Sequence, residues 1–389
     1  MASPVFSTPL DAAVATRASA HAPSWPLWFA FGSSLTVAFG VDWDIAWHRS
    51  IGRDTFWSPP HIAIYSAAVL AAVAALARIL PATFAHRQRD TGVHVLGFRG
   101  PLGAFIAAWG GVAMLSSAPF DDWWHNAYGL DVKILSPPHV ALAVGILCLH
   151  LGALVLLAGA MNSAASVLHR RLGALVVATG AMMLVTILTV LMEKVVRVRM
   201  HGGLFYVVVA LCAPFVLTAM SEATGGRWAA TKTAALYSLF LVALLWTFPL
   251  VPAEPKLGPV LVQVRSLIPP EFPLLLLPAA AVLDRWLLAR RAHPGAATVV
   301  GGGVLFAATF FVIQWPFATF LMSPYARNYF WGAKYFDFWT PAWAPYRRYA
   351  FIEETTFHVV LGIALSLPFA VLSVAGGRAW GRWLARVQR

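Results

Sequence analysis

The sequence predicts an all-α, polytopic integral membrane protein, and two features of its composition carry that prediction. Of the 389 residues, 59% are hydrophobic and only 11% are charged, whereas an average soluble domain is about one quarter charged. So few charges cannot cover one or two globular cores with a polar surface. The high hydrophobicity equally excludes a disordered chain, which would have a polar composition. We therefore expect lipid to be the main solvent of this protein.

Long apolar segments recur along the chain at the length that crosses a membrane. A bilayer core needs about 20 mostly apolar residues per helix, and about ten segments meet this rule. The chain leaves no room for a soluble domain between them, so residues 1–389 are predicted to form one membrane domain. The longest connection, 320–354, is rich in Trp, Tyr and Arg and predicts an aromatic loop at the membrane interface. The predicted spans are 25–45, 60–80, 101–118, 139–159, 172–192, 203–220, 231–251, 271–289, 297–319 and 355–376.

The charged residues divide unequally between the two membrane faces that these spans define. We call the face that carries the N-terminus and every second loop after it the N-terminal face, and the other the acidic face. The N-terminal face holds 16 of the 28 lysines and arginines but only 4 of the 16 carboxylates. The positive-inside rule then makes this face, with both termini, cytoplasmic in a bacterial-type inner membrane. The net charge of +12 thus reflects topology, and no nucleic acid is expected as a partner.

An internal repeat is the strongest functional signal in the sequence. The two copies are DIAWHRSIGRDTFWSPPH at 44–61 and DDWWHNAYGLDVKILSPPH at 121–139. Each reads Asp-x3-His-x3-Gly-x-Asp and, after three or four further residues, Ser-Pro-Pro-His. The 77 residues between equivalent positions contain two helices. We therefore expect a tandem duplicated two-helix hairpin, at 25–80 and 101–160, with both motifs on the acidic face.

The first motif has the spacing and the chemistry of a metal site. Asp44 and His48 are i and i+4, on one face of a helix. Ser-Pro-Pro is a helix start signal, which places His61 in the first turn of the next helix, beside them. Two imidazoles and one carboxylate form a facial triad with open positions, typical of a transition-metal site. Asp54 is a candidate to orient a ligand histidine through a hydrogen bond.

The second motif repeats this arrangement with Asp121, His125 and His139, and Asp131 takes the place of Asp54. Aspartate and histidine near helix ends also act as caps or ion-pair partners, and short motifs are weak evidence on their own. Two copies that share the eight residues of this pattern favour metal binding. The two triads could hold separate ions or converge on one dinuclear centre.

Other ionisable residues on the acidic face are further candidates for a metal site. Pro269-Pro270-Glu271 places a carboxylate in the first turn of a predicted helix, and Glu354 and His358 have the i, i+4 ligand spacing. Ordinary interfacial pairs are the alternative explanation. His150, in the middle of the fourth span, is predicted to be a hydrogen-bonded bundle histidine. The additional candidates are Asp122, His201, Glu271, Glu354 and His358.

Over about 20 residues, the first motif resembles the C subunit of the particulate methane and ammonia monooxygenases. The match is Asp-x3-His-x12-His with an embedded Arg53-Asp54-Thr55-x2-Ser58-Pro59-x-His61. The resemblance implies a copper site at Asp44, His48 and His61, with one or two copper ions in the protein. Another transition metal would also suit these ligands.

The rest of the chain departs from that family's pattern. The histidines of the second motif are separated by 13 residues instead of 12, and Leu130-Asp131-Val132 replaces Arg-Asp-Thr. The chain has about twice the number of helices that the C subunit would imply. It also lacks the periplasmic cupredoxin-like domain of the partner B subunit. The resemblance therefore implies a copper-site hairpin in a different, single-chain context.

Four functional hypotheses follow. The first is a copper-dependent membrane oxygenase that uses dioxygen on a small or lipophilic substrate, with a quinol or protein electron donor and with partner subunits or a homo-oligomeric assembly. The second is metal transport or delivery, although transporter sites lie nearer the midplane. The third is a lipid-linked glycosyltransferase that uses an acidic loop containing Asp42 and Asp44, but it leaves Pro-Pro-His unexplained. The fourth is a haem cytochrome, which gives the triad aspartates no role.

Overall fold

A computed structural model describes residues 23–52, 55–84, 92–129, 136–192, 200–256, 264–293, 295–335 and 354–388. Within these ranges the chain forms ten α-helices and one short β-hairpin, β1 (Val93–Val95) and β2 (Phe98–Gly100). The predicted all-α membrane class is confirmed. The helices are α1 (Trp25–Ser50), α2 (Pro59–Phe84), α3 (Leu102–Tyr128), α4 (Pro137–Asn162), α5 (Ser166–Leu191), α6 (Gly203–Thr224), α7 (Ala229–Thr247), α8 (Leu276–Ala289), α9 (Ala296–Leu321) and α10 (Thr356–Leu384).

Eight of these helices are long and apolar enough to cross a membrane, so the protein is an integral membrane protein. The exceptions in the described part of the chain are α1 and α8. Helix α1 has 26 residues, but its Ser and Gly residues and its two aspartates lower its hydropathy. Helix α8 has only 14 residues. The predicted span 271–289 is therefore wrong at its start, where Pro270 and Pro273 oppose helix formation.

The short β-hairpin was not predicted, and it sets the direction of the next helix. Its turn residues Leu96 and Gly97 both have positive φ, 50° and 85°, as in the two-residue turns that suit the twist of a hairpin. The backbone N–H of Arg99 donates to Thr83 Oγ1 at 2.9 Å. The hairpin thus returns the chain beside the end of α2, where α3 begins.

Helices α2 and α3 run antiparallel, which brings the two motifs to the same end of the bundle. A Cβ added at Gly100 would lie 2.9 Å from Ile79 Cγ1, and one added at Gly111 would lie 3.1 Å from the Ala68 carbonyl oxygen. Positions nearer the C-terminus of α3 therefore lie beside positions nearer the N-terminus of α2. The C-terminal end of α3, with Asp121, consequently lies at the level of the N-terminal end of α2. This is the arrangement expected for a duplicated hairpin.

Glycines allow α3 and α4 to pack backbone against backbone. A Cβ added at Gly152 would collide with the backbone of Ala107, and one added at Gly103 would collide with the backbone of Leu156. Close approach at small residues is a common way for helices to associate in lipid. Burying an apolar side chain between helices stabilises their association little there, because the surrounding lipid is also apolar.

Helices α6 and α10 form a second close pair, although they are far apart in sequence. Gly362 packs against Gly203, and Gly377 packs against the Phe215 carbonyl, so the two helices run parallel. Ser373 Oγ donates to the Leu211 carbonyl at 2.7 Å. The contact follows a stripe of small residues on α10, which are Gly362, Ser366, Ala370, Ser373, Gly377 and Gly381.

Polar side chains inside the bundle are hydrogen-bonded across helices. His150 is 1% exposed, and its two ring nitrogens each lie 3.1 Å from a hydroxyl, Ser34 Oγ on α1 and Thr186 Oγ1 on α5. This confirms the prediction of a hydrogen-bonded bundle histidine.

A second buried polar group lies at the opposite end of the bundle from the motifs. Buried Asp284 accepts hydrogen bonds from the backbone N–H of Thr231 at 2.8 Å and from the Thr231 hydroxyl at 2.7 Å, at the start of α7.

We predict that Gly152→Ala lowers the thermal unfolding temperature, because the added methyl group forces α3 and α4 apart at a cost of about 1–3 kcal/mol. Gly32→Ala, also within a helix, is the matched control because nothing lies within 4 Å of the added Cβ. It should leave stability unchanged or raise it by up to about 1 kcal/mol. Intrinsic fluorescence melts in detergent would measure both, and equal melting temperatures would contradict the proposed packing.

Candidate metal centre

The end of α1 and the first turn of α2 bring Asp44, His48 and His61 together. One ligand atom from each residue lies within 4.8 Å of the others. Asp44 Oδ1 is 3.3 Å from His61 Nε2, and Asp44 Oδ2 is 3.8 Å from His48 Nε2. The helix starts at Pro59, as the Ser-Pro-Pro signal predicts. The side chain of His61 is 16% exposed and that of His48 is 46% exposed, so the group is partly open at one edge.

A backbone carbonyl fixes the orientation of the His61 ring. His61 Nδ1 lies 2.9 Å from the carbonyl oxygen of Thr55. A carbonyl can only accept, so Nδ1 carries a proton, and in the neutral ring Nε2 presents its lone pair. The loop itself is held because the Thr55 N–H donates to Ser58 Oγ at 2.7 Å. An imidazole anchored in this way is the usual state of a metal-ligating histidine.

The carboxylate that faces this ring has an unsatisfied oxygen. Asp44 Oδ1 is buried and accepts no hydrogen bond from the part of the chain that the structure describes. With neutral His61, two lone-pair acceptors face one another at 3.3 Å. A cation between them would be bound by both groups and would satisfy Asp44 Oδ1, so the residues present fit a metal ion. A doubly protonated His61 would instead form an ion pair with Asp44.

The second triad is arranged more loosely. Asp121 Oδ2 is 3.4 Å from His125 Nε2, and Asp121 Oδ1 is 3.6 Å from His139 Nε2. Among the described residues, these three do not form a group with all its ligand atoms within 4.8 Å. His139 Nδ1 lies 3.0 Å from Ser136 Oγ, and a hydroxyl can donate or accept, so this contact does not fix the tautomer. The two triads thus contain the same residue types, but the ligand atoms of the first triad lie closer to a geometry that can bind one metal ion.

Two of the additional candidates lie at helix starts at the same end of the bundle, where Glu354 caps α6 and Thr355 caps α10 beside His358. Glu354 accepts from the backbone N–H groups of Gly203 at 2.6 Å and Leu204 at 3.3 Å, at the start of α6. His358 lies in the first turn of α10, where its ring Nδ1 is 3.0 Å from Thr355 Oγ1. Each residue thus has a contact of its own within the protein, and Glu354 precedes the helix that contains His358.

Glu271 also has a structural contact, and its predicted position in a helix is wrong. Its carboxylate accepts from Arg49 at 2.9 Å. Helix α8 begins only at Leu276, so Glu271 precedes the helix. The analogy with the Ser-Pro-Pro-His starts therefore does not extend to Pro269-Pro270-Glu271.

His201 and Asp122 make contacts outside the two triads. His201 Nε2 lies 3.1 Å from both Thr319 Oγ1 and the Trp315 carbonyl oxygen on α9. Asp122 Oδ2 accepts from Asn126 Nδ2 at 3.4 Å, and the residue is exposed. Two other candidate positions, Asp54 and Asp131, lie outside the described residues.

The structure corrects the acidic loop on which the glycosyltransferase alternative depends. Asp42 and Asp44 both lie inside α1, and Asp42 is only 3% exposed.

The sequence reasoning missed the two contacts that shape the first site, the Thr55 carbonyl and the Ser58 hydroxyl. The embedded Thr55-x2-Ser58 pattern was a signal for them, because Ser and Thr form local side-chain bonds at helix starts.

Comparisons with known protein families, with curated proteins and with solved structures found no match to this chain. The resemblance to the monooxygenase C subunit is limited to the first motif and stays a prediction.

We predict that Asp44→Asn lowers copper affinity at least about 10-fold, because losing a carboxylate ligand should cost no less than losing a supporting residue. Asp122→Asn is the matched control, since that carboxylate is exposed and belongs to neither triad. Equilibrium dialysis with limiting copper would measure both. The preorganised first site should fill before the second, so Asp121→Asn should leave the tightest binding step intact. Unchanged affinity in Asp44→Asn would favour the His61–Asp44 ion pair.

Proposed function

We propose that this protein is a copper-dependent membrane oxygenase that uses dioxygen to oxidise a small or lipophilic substrate. One observation carries the proposal. The lone pair of His61 Nε2, fixed by the Thr55 carbonyl, faces the unsatisfied oxygen of Asp44 at 3.3 Å, with His48 completing a group of three ligands.

The chemistry of the donor set supports a transition metal, and copper in particular. Calcium and magnesium prefer all-oxygen sites, whereas two imidazoles and a carboxylate suit first-row transition metals. Among the divalent ions of that row, copper binds nitrogen and oxygen ligands most tightly. The resemblance of 44–61 to the copper hairpin of the monooxygenase C subunit supports the same choice.

The residues around the site have separate tasks in this proposal. Copper, when bound, would supply redox chemistry with dioxygen, using electrons from a quinol or a protein donor. Asp44 would balance the charge of the ion, and the Thr55 carbonyl would keep the ring of His61 aligned. Tyr65, with its ring centre 6.1 Å from that of His61, and Phe56, 5.3 Å from Tyr65, would restrict access of water. A lipophilic substrate could approach from the surrounding lipid.

We also propose that the triads lie on the extracytoplasmic side of a bacterial-type inner membrane, with both termini in the cytoplasm. The excess of arginine and lysine on the N-terminal face supports this orientation. Partner subunits or a second copy of the chain would supply any surface needed for an electron donor.

Consumption of dioxygen would test the proposed oxygenase activity directly. Copper-loaded protein in liposomes should consume dioxygen with a soluble quinol as reductant, and both His48→Ala and His61→Ala should reduce the rate at least about 10-fold, since each removes a ligand. His358→Ala is the control, because its contact with Thr355 lies outside the triads. Copper binding without quinol-dependent dioxygen consumption would contradict the oxygenase and would favour metal delivery.

The orientation prediction uses single cysteines in a background with Cys148→Ala and Cys212→Ala. Tyr128→Cys, at the end of α3 beside the second triad, should react with a membrane-impermeant maleimide added to intact cells. Leu96→Cys, in the turn of the β-hairpin at the opposite end, should react only after lysis. Both positions are exposed, at 67% and 83%, so a reversed labelling pattern would place the triads in the cytoplasm.

A further inference from the structure

A cavity lies on the side of α1 that faces α5, α7 and residues 268–274. Its volume is about 60 Å³, which is room for roughly four water molecules. Most of the lining is apolar, including Ile45, Phe205 and Leu241. The polar lining groups come from Asp42, Arg49, Thr189, Tyr237 and Glu271.

Asp42 presents an unsatisfied carboxylate oxygen at this cavity. The residue is 3% exposed, and its Oδ1 accepts from Thr189 Oγ1 at 3.2 Å. Its Oδ2 is buried and has no hydrogen-bond partner in the described part of the chain. An ionised carboxylate in such a position is costly unless it is paired or holds a cation. The cavity beside it provides the space for such a partner.

Among the described residues, Asp42 is a lining carboxylate that forms no salt bridge of its own. Arg49 donates to Glu271 at 2.9 Å, so these two side chains neutralise each other. Among the described residues that line the cavity, the other carboxyl group is that of Asp42, which contributes one negative charge when it is ionised. A ligand with one positive charge would balance it, whereas a divalent ion usually takes more carboxylate oxygens.

The available donor atoms are hard oxygens. The Thr189 hydroxyl gives its hydrogen to Asp42, so its lone pairs can face an ion. The Tyr237 hydroxyl accepts from the Leu274 N–H at 3.4 Å and keeps a second lone pair. No histidine is among the described residues that line the cavity, so it differs in chemistry from the copper triad. Asp42 and Asp44 also point to different sides of α1, since two residues correspond to a rotation of about 200°.

We propose that this cavity is a binding site for one sodium ion, held by Asp42 with Thr189 and ordered water. The small volume favours a compact ion that keeps a few waters, and one carboxylate without a salt bridge among the described residues favours a single positive charge. The ion would join α1 to α5 next to the metal-binding end of α1. Because it binds only the folded protein, it would raise thermal stability in proportion to its occupancy.

The test is the melting temperature of the full-length protein in detergent, with EDTA present to remove transition metals. Sodium chloride is exchanged stepwise for choline chloride at constant ionic strength, with potassium chloride as a third series. We expect the melting temperature to rise saturably with sodium and less with potassium. Equal melting temperatures in sodium and choline would overturn the proposal.

Two variants locate the effect. Asp42→Asn should abolish the sodium dependence, and in choline it should melt no lower than the wild type, because the uncompensated charge is gone. Asp122→Asn, which removes an exposed carboxylate, should keep the wild-type sodium dependence. If Asp42→Asn fails to fold, Thr189→Val should shift half-saturation to sodium concentrations at least several-fold higher. A sodium response that persists unchanged in the variant of Asp42 or Thr189 that folds would refute this site.

Discussion

Polar groups within the membrane-spanning part of this protein must find their partners inside the protein, because the hydrocarbon of a bilayer offers none. This constraint accounts for the helical architecture, in which each span satisfies its own backbone. It also accounts for the close helix pairs, where glycines such as Gly152 and Gly203 allow backbones to meet. The same constraint explains His150, whose two ring nitrogens join three helices through hydroxyl groups. Inside the bundle, a polar atom left without such a partner is therefore informative.

Two carboxylates on α1 are informative in this sense. Asp44 Oδ1 and Asp42 Oδ2 are both buried without a hydrogen-bond donor among the described residues, and they face different surroundings. Asp44 faces two imidazoles, which suits a transition metal. Asp42 faces a hydroxyl and a small cavity, which suits a hard monovalent ion. The C-terminal end of α1 thus offers two candidate sites of different chemistry. The donor atoms at each site, more than its burial, would decide which ion binds there.

The two triads show how a duplication can separate into unequal sites. Both keep the Asp-x3-His pair and the histidine in the first turn after Pro-Pro, because helix geometry alone brings these residues together. They differ in the contact behind the ring. The Thr55 carbonyl fixes one tautomer of His61, whereas the Ser136 hydroxyl permits either tautomer of His139. The first triad is therefore better prepared to bind an ion.

The sequence alone determined the features that depend on local geometry. Composition fixed the membrane class, Ser-Pro-Pro fixed the start of α2, and i, i+4 spacing with a short connection fixed the meeting of Asp44, His48 and His61. Only the tertiary structure decided which distant groups meet. Glu271 pairs with Arg49 across 222 residues, and the described group of metal-type ligands contains only Asp44, His48 and His61. The physical reason is that a hairpin brings its own residues together by chain connectivity, whereas contacts between distant segments depend on how all the helices pack.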